Sequence, residues 1–431
     1  MTPVRVSWAR IALAASALAA LFAISHQLLR GRILATWQGV DALAPLYAFA
    51  EPVLRPQALV FLVLAVAVAL VAPRIVDPER TSRASFAGFL AAASVLLPLA
   101  LHLVRGNLAD LGAQFDVYQH EEFLHDARAI TNLPAFLDRY VELMPTLSLH
   151  GQHFPPGHAV LLHLAGRAFG PGTLAAGLLV LAFAAIGVHL AWRAFVELAE
   201  DRAARQGALL LLAAPSLLDF SATAMDAVFF AFAALAWWLS LRNAWLAGGA
   251  LLLATFFSFS ALPVGLAIGL HAVLRGRLGD LPKLFAAYVA CAGLLFAALG
   301  FPIWSCLLEA RRSNTALMAN AIGADPASLW PSLSLGNATA ILLGAGMGLV
   351  AAATRGRFTD PLARASLLAL LAMSLGGIYF LETERIWLFA LPWLAAVAIS
   401  AGSLDDRSLR RVIAAGFVQA LLMETALFTL W

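Results

Sequence analysis

The chain has 431 residues, of which 62% are hydrophobic and 12% are charged. A soluble domain carries about 25% charged residues, so this composition excludes a single soluble core. We predict an all-α polytopic membrane protein of a bacterial-type cytoplasmic membrane, in contact with membrane lipids. The formal net charge of +3 does not indicate a nucleic-acid partner, because basic residues of membrane proteins mostly mark cytoplasmic loops.

Apolar runs predict about 13 transmembrane helices (11–13), since a crossing needs about 20 apolar residues, or fewer where neighbouring helices bury its ends. The runs lie near 9–29, 58–73, 84–104, 171–192, 206–219, 226–241, 245–259, 263–274, 284–302, 337–353, 365–381, 387–403 and 412–430. We read 1–431 as one membrane domain. Residues 1–83 hold two N-terminal spans and an interfacial segment. Residues 171–431 hold the remaining bundle and an outer loop at 303–336.

The distribution of basic residues predicts the orientation. With the N-terminus in the cytoplasm, 18 of the 28 basic residues fall in short cytoplasmic segments, as the positive-inside rule requires. This orientation makes 105–170 a large extracytoplasmic loop with juxtamembrane helices. If the apolar run 158–169 crossed the membrane, every later loop would change sides. We therefore expect it to form an interfacial or re-entrant helix between Pro155-Pro156 and Gly170.

The outer loop concentrates titratable groups, including seven of the ten histidines of the chain between His102 and His163. Four acids lie within eleven residues of it: Asp116, Glu121, Glu122 and Asp126. Crowded carboxylates suit a general base or a divalent metal ion, and the alternative is a solvated acidic surface. His120 and His125 flank Glu121 five positions apart, whereas a zinc-protease motif needs four, so we reject that class.

The motif HFPPGH at 153–158 predicts a stiff turn, because two prolines fix φ and Gly157 permits close approach. Such a turn could hold His153 over a site at the membrane surface. His150 and His153 lack the further ligands of a recognisable zinc site. Hydrogen bonding to an anionic ligand is therefore the functional interpretation, and a satisfied surface histidine is the alternative for each.

Two charged positions interrupt apolar runs far from the loop. Asp226 lies where a helix is predicted to begin, as a functional carboxylate or only as a cap. The segment Glu382–Trp387 separates two predicted spans. Its Arg385 could bind phosphate or form an internal ion pair with Glu382 or Glu384.

Taken in order, these motifs resemble the C-type (GT-C) glycosyltransferase superfamily, which includes protein O-mannosyltransferases and lipid A aminoarabinose transferases. The resemblance rests on acids in a large outer loop, the His153-Phe-Pro-Pro-Gly turn, Asp226 and an ERIWLF run from Glu384. The chain departs from the family pattern in several ways. Two N-terminal spans look added, the acids do not form an adjacent Asp-Glu pair, and Phe154 interrupts the His-Pro-Pro spacing.

The resemblance implies an inverting glycosyltransferase that moves a sugar from a polyprenyl-phosphate donor to an unknown acceptor (lipid, glycan or protein) at the extracytoplasmic face. The expected base is Asp116, followed by Glu121 or Glu122. Asp116 and Asp226 are expected to hold a divalent metal, Mg or Mn, if one is used. Substrate contacts are expected from Tyr118, His150, His153, Pro155, Pro156, Glu384 and Arg385. A transporter or lipid flippase is the alternative function, and a non-catalytic scaffold is a third.

Overall fold

The computed structural model describes residues 3–32, 36–37, 40–117, 122–322, 326–376 and 382–429. About 75% of the protein is helical, and the strands are short. The predicted all-α class is therefore confirmed. The loop architecture and the number of crossings stay predictions.

The α-helices, in chain order, are α1 (Trp8–Leu29), α2 (Ala58–Ile75), α3 (Arg83–His102), α4 (Phe123–Ala129), α5 (Leu133–Asp138), α6 (Tyr140–Leu143), α7 (Gly157–Phe169), α8 (Thr173–Leu198), α9 (Asp201–Leu212), α10 (Pro215–Phe220), α11 (Asp226–Ser240), α12 (Ala244–Phe257), α13 (Ala261–Leu274), α14 (Asp280–Leu299), α15 (Ile303–Ile322), α16 (Trp330–Ala353), α17 (Pro361–Leu375), α18 (Thr383–Ile386), α19 (Leu391–Ile399) and α20 (Asp406–Ala426). Single turns of 3-10 helix lie at Leu108–Asp110, Ala113–Asp116, Met144–Thr146, Pro326–Leu329 and Trp387–Ala390. Two antiparallel strand pairs join β1 (Thr36–Trp37) to β2 (Val40–Asp41) and β3 (Ala48–Ala50) to β4 (Leu427–Thr429).

Among the described residues, six helices are long and apolar enough to cross a membrane: α1, α2, α3, α8, α14 and α16. Further apolar helices of 10–17 residues include α11, α12, α13 and α17. Neighbouring helices can bury the ends of such short helices, which lets them serve in a bundle below the usual length. These elements suit a multi-pass membrane protein.

Helix α11 lies at the centre of the bundle, between α8 and α12. It is apolar on all sides, the pattern of a helix that is buried all round. Its side chains from Asp226 to Ala231 are buried. Phe232 of α11 stacks on Phe257 of α12 with ring centroids 4.4 Å apart. The first residue of this largely buried helix is thus Asp226, the carboxylate that the sequence singled out.

The first two long helices pack against the C-terminal part of the chain. Helix α1 lies along α16, where the hydroxyls of Ser25 and Thr339 are 2.9 Å apart, and α2 lies along α20. The amide of Val6 donates to the Ser408 hydroxyl at 2.8 Å. The first and last segments therefore close the bundle on one side.

Within the predicted outer loop 303–336, the described residues 303–322 and 326–336 are helical. Helix α15 covers Ile303–Ile322, and α16 begins at Trp330. Helix α15 carries Glu309, Arg311 and Arg312, and these charges hide it from a search for long apolar runs. The charges lower hydropathy without preventing helix formation, because Glu and Arg are good helix formers.

Candidate functional site

A close approach of Gly112 to Gly177 fixes the acid-bearing loop to helix α8. Gly112 has a φ of +76°, and a Cβ there would run into the carbonyl oxygen of Thr173 at the start of α8. A Cβ on Gly177, one turn further, would stand 2.9 Å from the Gly112 nitrogen. Only residues without a side chain allow the two backbones to come this close. The loop is therefore fixed to α8 just before Asp116.

Asp116 follows at the end of the 3-10 helix Ala113–Asp116, where Gln114 secures the position. The Gln114 Nε2 donates to the carbonyl oxygen of Thr223 at 2.7 Å, in the turn before Asp226. Asp116 itself is exposed, and its Oδ1 lies 2.6 Å from Nη1 of Arg128. The Arg128 Nη2 donates to the Pro171 carbonyl at 2.9 Å. The loop acid and the turn that leads to Asp226 are thus neighbours in space.

Glu122 and Asp126 are buried and point at one piece of backbone. The Asp126 carboxylate accepts from the Ser148 amide at 3.0 Å and from its hydroxyl at 2.5 Å. The Glu122 Oε2 accepts from the Leu149 amide at 3.2 Å. Burial raises the pKa of Asp126, and the hydrogen bonds from Ser148 act in the opposite direction. Both acids hold the segment that leads into the proline turn.

The proline turn is fixed from both sides, as its sequence predicts. The Tyr140 hydroxyl lies 3.1 Å from the Gly151 carbonyl and 2.9 Å from the Phe154 carbonyl. Pro155 and Pro156 are buried, and α7 then starts at Gly157. A Cβ on Gly157 would collide with the Phe256 carbonyl at the end of α12. The helix predicted at 158–169 is present as α7, ending before Gly170.

Two histidines of this turn are held in an apolar setting. Both ring nitrogens of His153, and Nδ1 of His158, are buried without a hydrogen-bond partner among the described residues. Burial lowers the pKa of His153 to about 4. Burial and the charge of Arg385 lower the pKa of His158 to about 3. His150 is also buried, with its ring 5.7 Å from that of Phe123. The neutral imidazoles of His153 and His158 can donate a hydrogen bond to an anion that comes within reach.

Arg385 is the centre of a buried ionic network. Its side chain is 1% exposed, and its Nη1 lies 2.7 Å from Oδ2 of Asp226, which is 3% exposed. Its Nη2 lies 2.6 Å from Oε2 of Glu382, which is 21% exposed. Glu382 adopts a left-handed φ of 55°, a conformation that is uncommon for a residue with a side chain. One guanidinium thus joins two carboxylates, the internal arrangement that the sequence left open as an alternative to phosphate binding.

Glu384 faces a second group of acids that the sequence analysis did not single out. Its Oε1 accepts from the Tyr47 amide at 2.8 Å, while its buried Oε2 has no hydrogen-bond partner among the described residues. A small cavity of about 20 Å³ joins it to Asp219 and Glu424, enough for about one water molecule. Burial raises the pKa of Glu384 to about 7. The sequence signal for this group was that Asp219 and Glu424 are acids within apolar runs.

The metal prediction rests on Asp116 and Asp226, and each is paired with an arginine. No group of three or more His, Cys, Asp or Glu side chains within the described ranges is spaced to hold a metal ion. A metal ion at either position would lie beside the positive charge of Arg128 or Arg385, which disfavours its binding. Tyr118 and Glu121, predicted as substrate contact and second base, lie outside the described residues.

Comparison with known proteins gives no relative of this chain: no family model, no curated protein and no solved structure matches it. The resemblance to C-type glycosyltransferases therefore stays a prediction. The site has to be argued from its own geometry.

Proposed function

We propose that this protein is an integral membrane glycosyltransferase of the C type, which transfers a sugar from a polyprenyl-phosphate donor to an acceptor hydroxyl. The observation that carries the proposal is the contact of Gln114 with the Thr223 carbonyl. It brings the loop acid Asp116 beside the turn that positions Asp226 and, through it, Arg385. This contact supports a site to which charged groups from distant parts of the chain contribute, an arrangement expected of chemistry at a membrane surface.

Asp116 is the preferred general base. Its carboxylate is exposed and held by one arginine, so an acceptor hydroxyl can reach it within hydrogen-bond distance. Glu122 and Asp126 accept hydrogen bonds from the backbone of 148–149, which makes them positioning residues. In the proposed reaction, Asp116 takes the hydroxyl proton as the acceptor oxygen attacks the anomeric carbon. The bond from that carbon to the phosphate oxygen breaks, and the configuration inverts.

His153 is the preferred partner of the departing phosphate. Its two ring nitrogens are buried and have no partner among the described residues, so a phosphate oxygen would supply the missing hydrogen bond. Donors aimed at charge that grows in the transition state accelerate such a step. Arg385 already binds Asp226 and Glu382, so a phosphate would compete with these two carboxylates for its guanidinium. Glu382 is the more exposed of the two.

The experiment measures release of polyprenyl phosphate by purified protein supplied with polyprenyl-phosphate mannose or polyprenyl-phosphate aminoarabinose and membrane-derived acceptors. We expect Asp116→Asn and Asp226→Asn to lower the rate at least 100-fold, within the usual range for acid–base groups. Glu142→Gln is the matched control, because Glu142 is an exposed acid of the same loop in an ion pair with Arg139. Wild-type rates in both aspartate variants would contradict the proposed site, and no turnover by the wild type on either donor would count against the activity.

A transporter is the second candidate, supported by the cavity between Asp219, Glu384 and Glu424. Ionisable groups buried among membrane helices are typical of proton relays. This function predicts substrate-dependent proton flux in proteoliposomes that Glu424→Gln abolishes and Asp116→Asn leaves unchanged. The glycosyltransferase proposal predicts that Asp116→Asn lowers the rate of sugar transfer and that Glu424→Gln leaves it unchanged.

A further inference from the structure

An apolar groove runs between α2 and α20 on the surface of the bundle. Its volume is about 280 Å³, and apart from two arginines at one end its lining is apolar. Phe61 and Phe417 form its floor, with ring centroids 6.1 Å apart. Leu62, Val66 and Val418 rise along its sides and are exposed. The size and apolar lining of the groove suit the binding of a hydrocarbon chain.

One end of the groove is cationic. Arg410, Ala414 and Val418 follow each other at four-residue spacing on α20, so the arginine lies on the same helix face as the apolar wall of the groove. Arg410 is exposed and forms no ion pair among the described residues. Arg411 also reaches this end, with its Nη1 3.5 Å from the Val6 carbonyl. Trp8 lies beside them, 54% exposed, in the manner of an aromatic anchor at a membrane interface.

Arg411 also lines an adjoining polar cavity of about 790 Å³, which begins where the groove ends. Four arginines and two aspartates line this cavity: Arg5, Arg202, Arg407, Arg411, Asp405 and Asp406. Asp405 is paired with Arg5 at 3.7 Å, and Asp406 is paired with Arg202 at 2.5 Å. The remaining arginines leave an excess of two positive charges in the cavity, beside the additional charge of Arg410.

We propose that this groove and cavity together bind an anionic glycerophospholipid, with phosphatidylglycerol as its representative. One acyl chain lies in the groove, the phosphate contacts Arg410 and Arg411, and the polar headgroup extends into the cavity. Clusters of basic residues at the end of membrane helices recognise anionic headgroups in this way. The groove lies on α1, α2 and α20, and the cavity adds the start of α9 and the segments that precede α1 and α20. The site does not include Asp116, His153 or Arg385, and it does not depend on the proposed enzymatic activity.

The test is native mass spectrometry of the full-length protein with phosphatidylglycerol and phosphatidylcholine of identical acyl chains. Each arginine near an anionic lipid contributes about fivefold in affinity. The double variant R410Q/R411Q should therefore bind phosphatidylglycerol about 25-fold more weakly and leave the affinity for phosphatidylcholine unchanged. The matched control is R355Q/R357Q, which removes two exposed arginines from the α16–α17 loop. It should keep the wild-type preference.

Ala414→Phe provides a second variant that leaves the charge unchanged and fills the groove. We expect it to weaken binding of phosphatidylglycerol, and we expect brominated phosphatidylglycerol to quench a fluorescence component that Trp8→Phe removes. Equal retention of the two lipids by the wild type would overturn the proposal, since the groove would then hold only annular lipid. A preference that survives both R410Q/R411Q and Ala414→Phe would also overturn it, as would stronger binding of polyprenyl phosphate at this position.

Discussion

The ion pairs around Arg385 predict that substitutions of its members lower the free energy of unfolding by unequal amounts. One guanidinium, 1% exposed, binds two carboxylates at 2.7 and 2.6 Å. Arg385→Met would leave Asp226 and Glu382 close together without the cation that joins them. Breaking a buried ion pair by removal of one partner costs about 3–5 kcal/mol. The free energy of unfolding should therefore fall by about that amount.

Asp226→Asn should behave differently, because it leaves Arg385 paired with Glu382 in a neutral couple. The amide can still accept a hydrogen bond from the guanidinium, so we expect a loss of about 1–2 kcal/mol. Equilibrium unfolding in mixed micelles measures both values. Arg139→Met is the surface control, and it should cost no more than about 1 kcal/mol, because its ion pair with Glu142 is exposed.

Arg205→Met is the control for buried arginines outside the site. Arg205 is also 1% exposed and lies 2.7 Å from Asp201, so its loss should destabilise the fold without touching Asp226. If Arg385→Met unfolds like the wild type, or if Asp226→Asn costs as much as Arg385→Met, the reasoning about the shared guanidinium is refuted.

Three further predictions concern the loop and the titratable groups. Gly112→Ala should release the loop from α8, because a Cβ cannot fit at φ +76° against Thr173. Faster proteolysis within 105–117 would reveal the release, and unchanged protection would contradict the prediction. Burial raises the pKa of Glu384 to about 7. The folded state therefore favours the neutral carboxyl group, and this contribution to stability is lost as the pH rises from about 4.5 through 7. Glu384→Gln should be more stable than the wild type at about pH 8 but not at about pH 4. Burial lowers the pKa of His153 to about 4, so stability should fall as the pH drops from about 6.5 to 4, by up to about 2 kcal/mol at pH 5. His153→Gln should flatten that dependence in pH-resolved unfolding, and an unchanged slope would show that His153 does not titrate there.

Local patterns in the sequence predicted the local structure well. Helix α7 and the start of α11 at Asp226 follow directly from proline, glycine and apolar spacing. The stiff turn at 153–157 is present for the reason its prolines suggested. Helix α15 was missed because charged residues such as Glu309 lower hydropathy while leaving helix propensity intact.

Long-range pairings could not be read from the sequence. Asp226 and Arg385 are 159 positions apart, and only the packing of α11 against the 387–390 turn brings them together. The sequence left Arg385 with two open roles. The predicted orientation put Asp219 and Glu384 on the same face, but it did not indicate that they lie beside each other and beside Glu424. Those contacts depend on how helices rotate and slide against each other, which periodicity alone does not determine.

The most direct test of the glycosyltransferase site is a density map of the protein with a polyprenyl-phosphate sugar bound. The proposal predicts a phosphate oxygen within hydrogen-bond distance of His153 and a sugar whose anomeric carbon faces the side of Asp116. A phosphate bound instead at Arg410 and Arg411, or a donor whose sugar lies away from both Asp116 and Asp226, would contradict it.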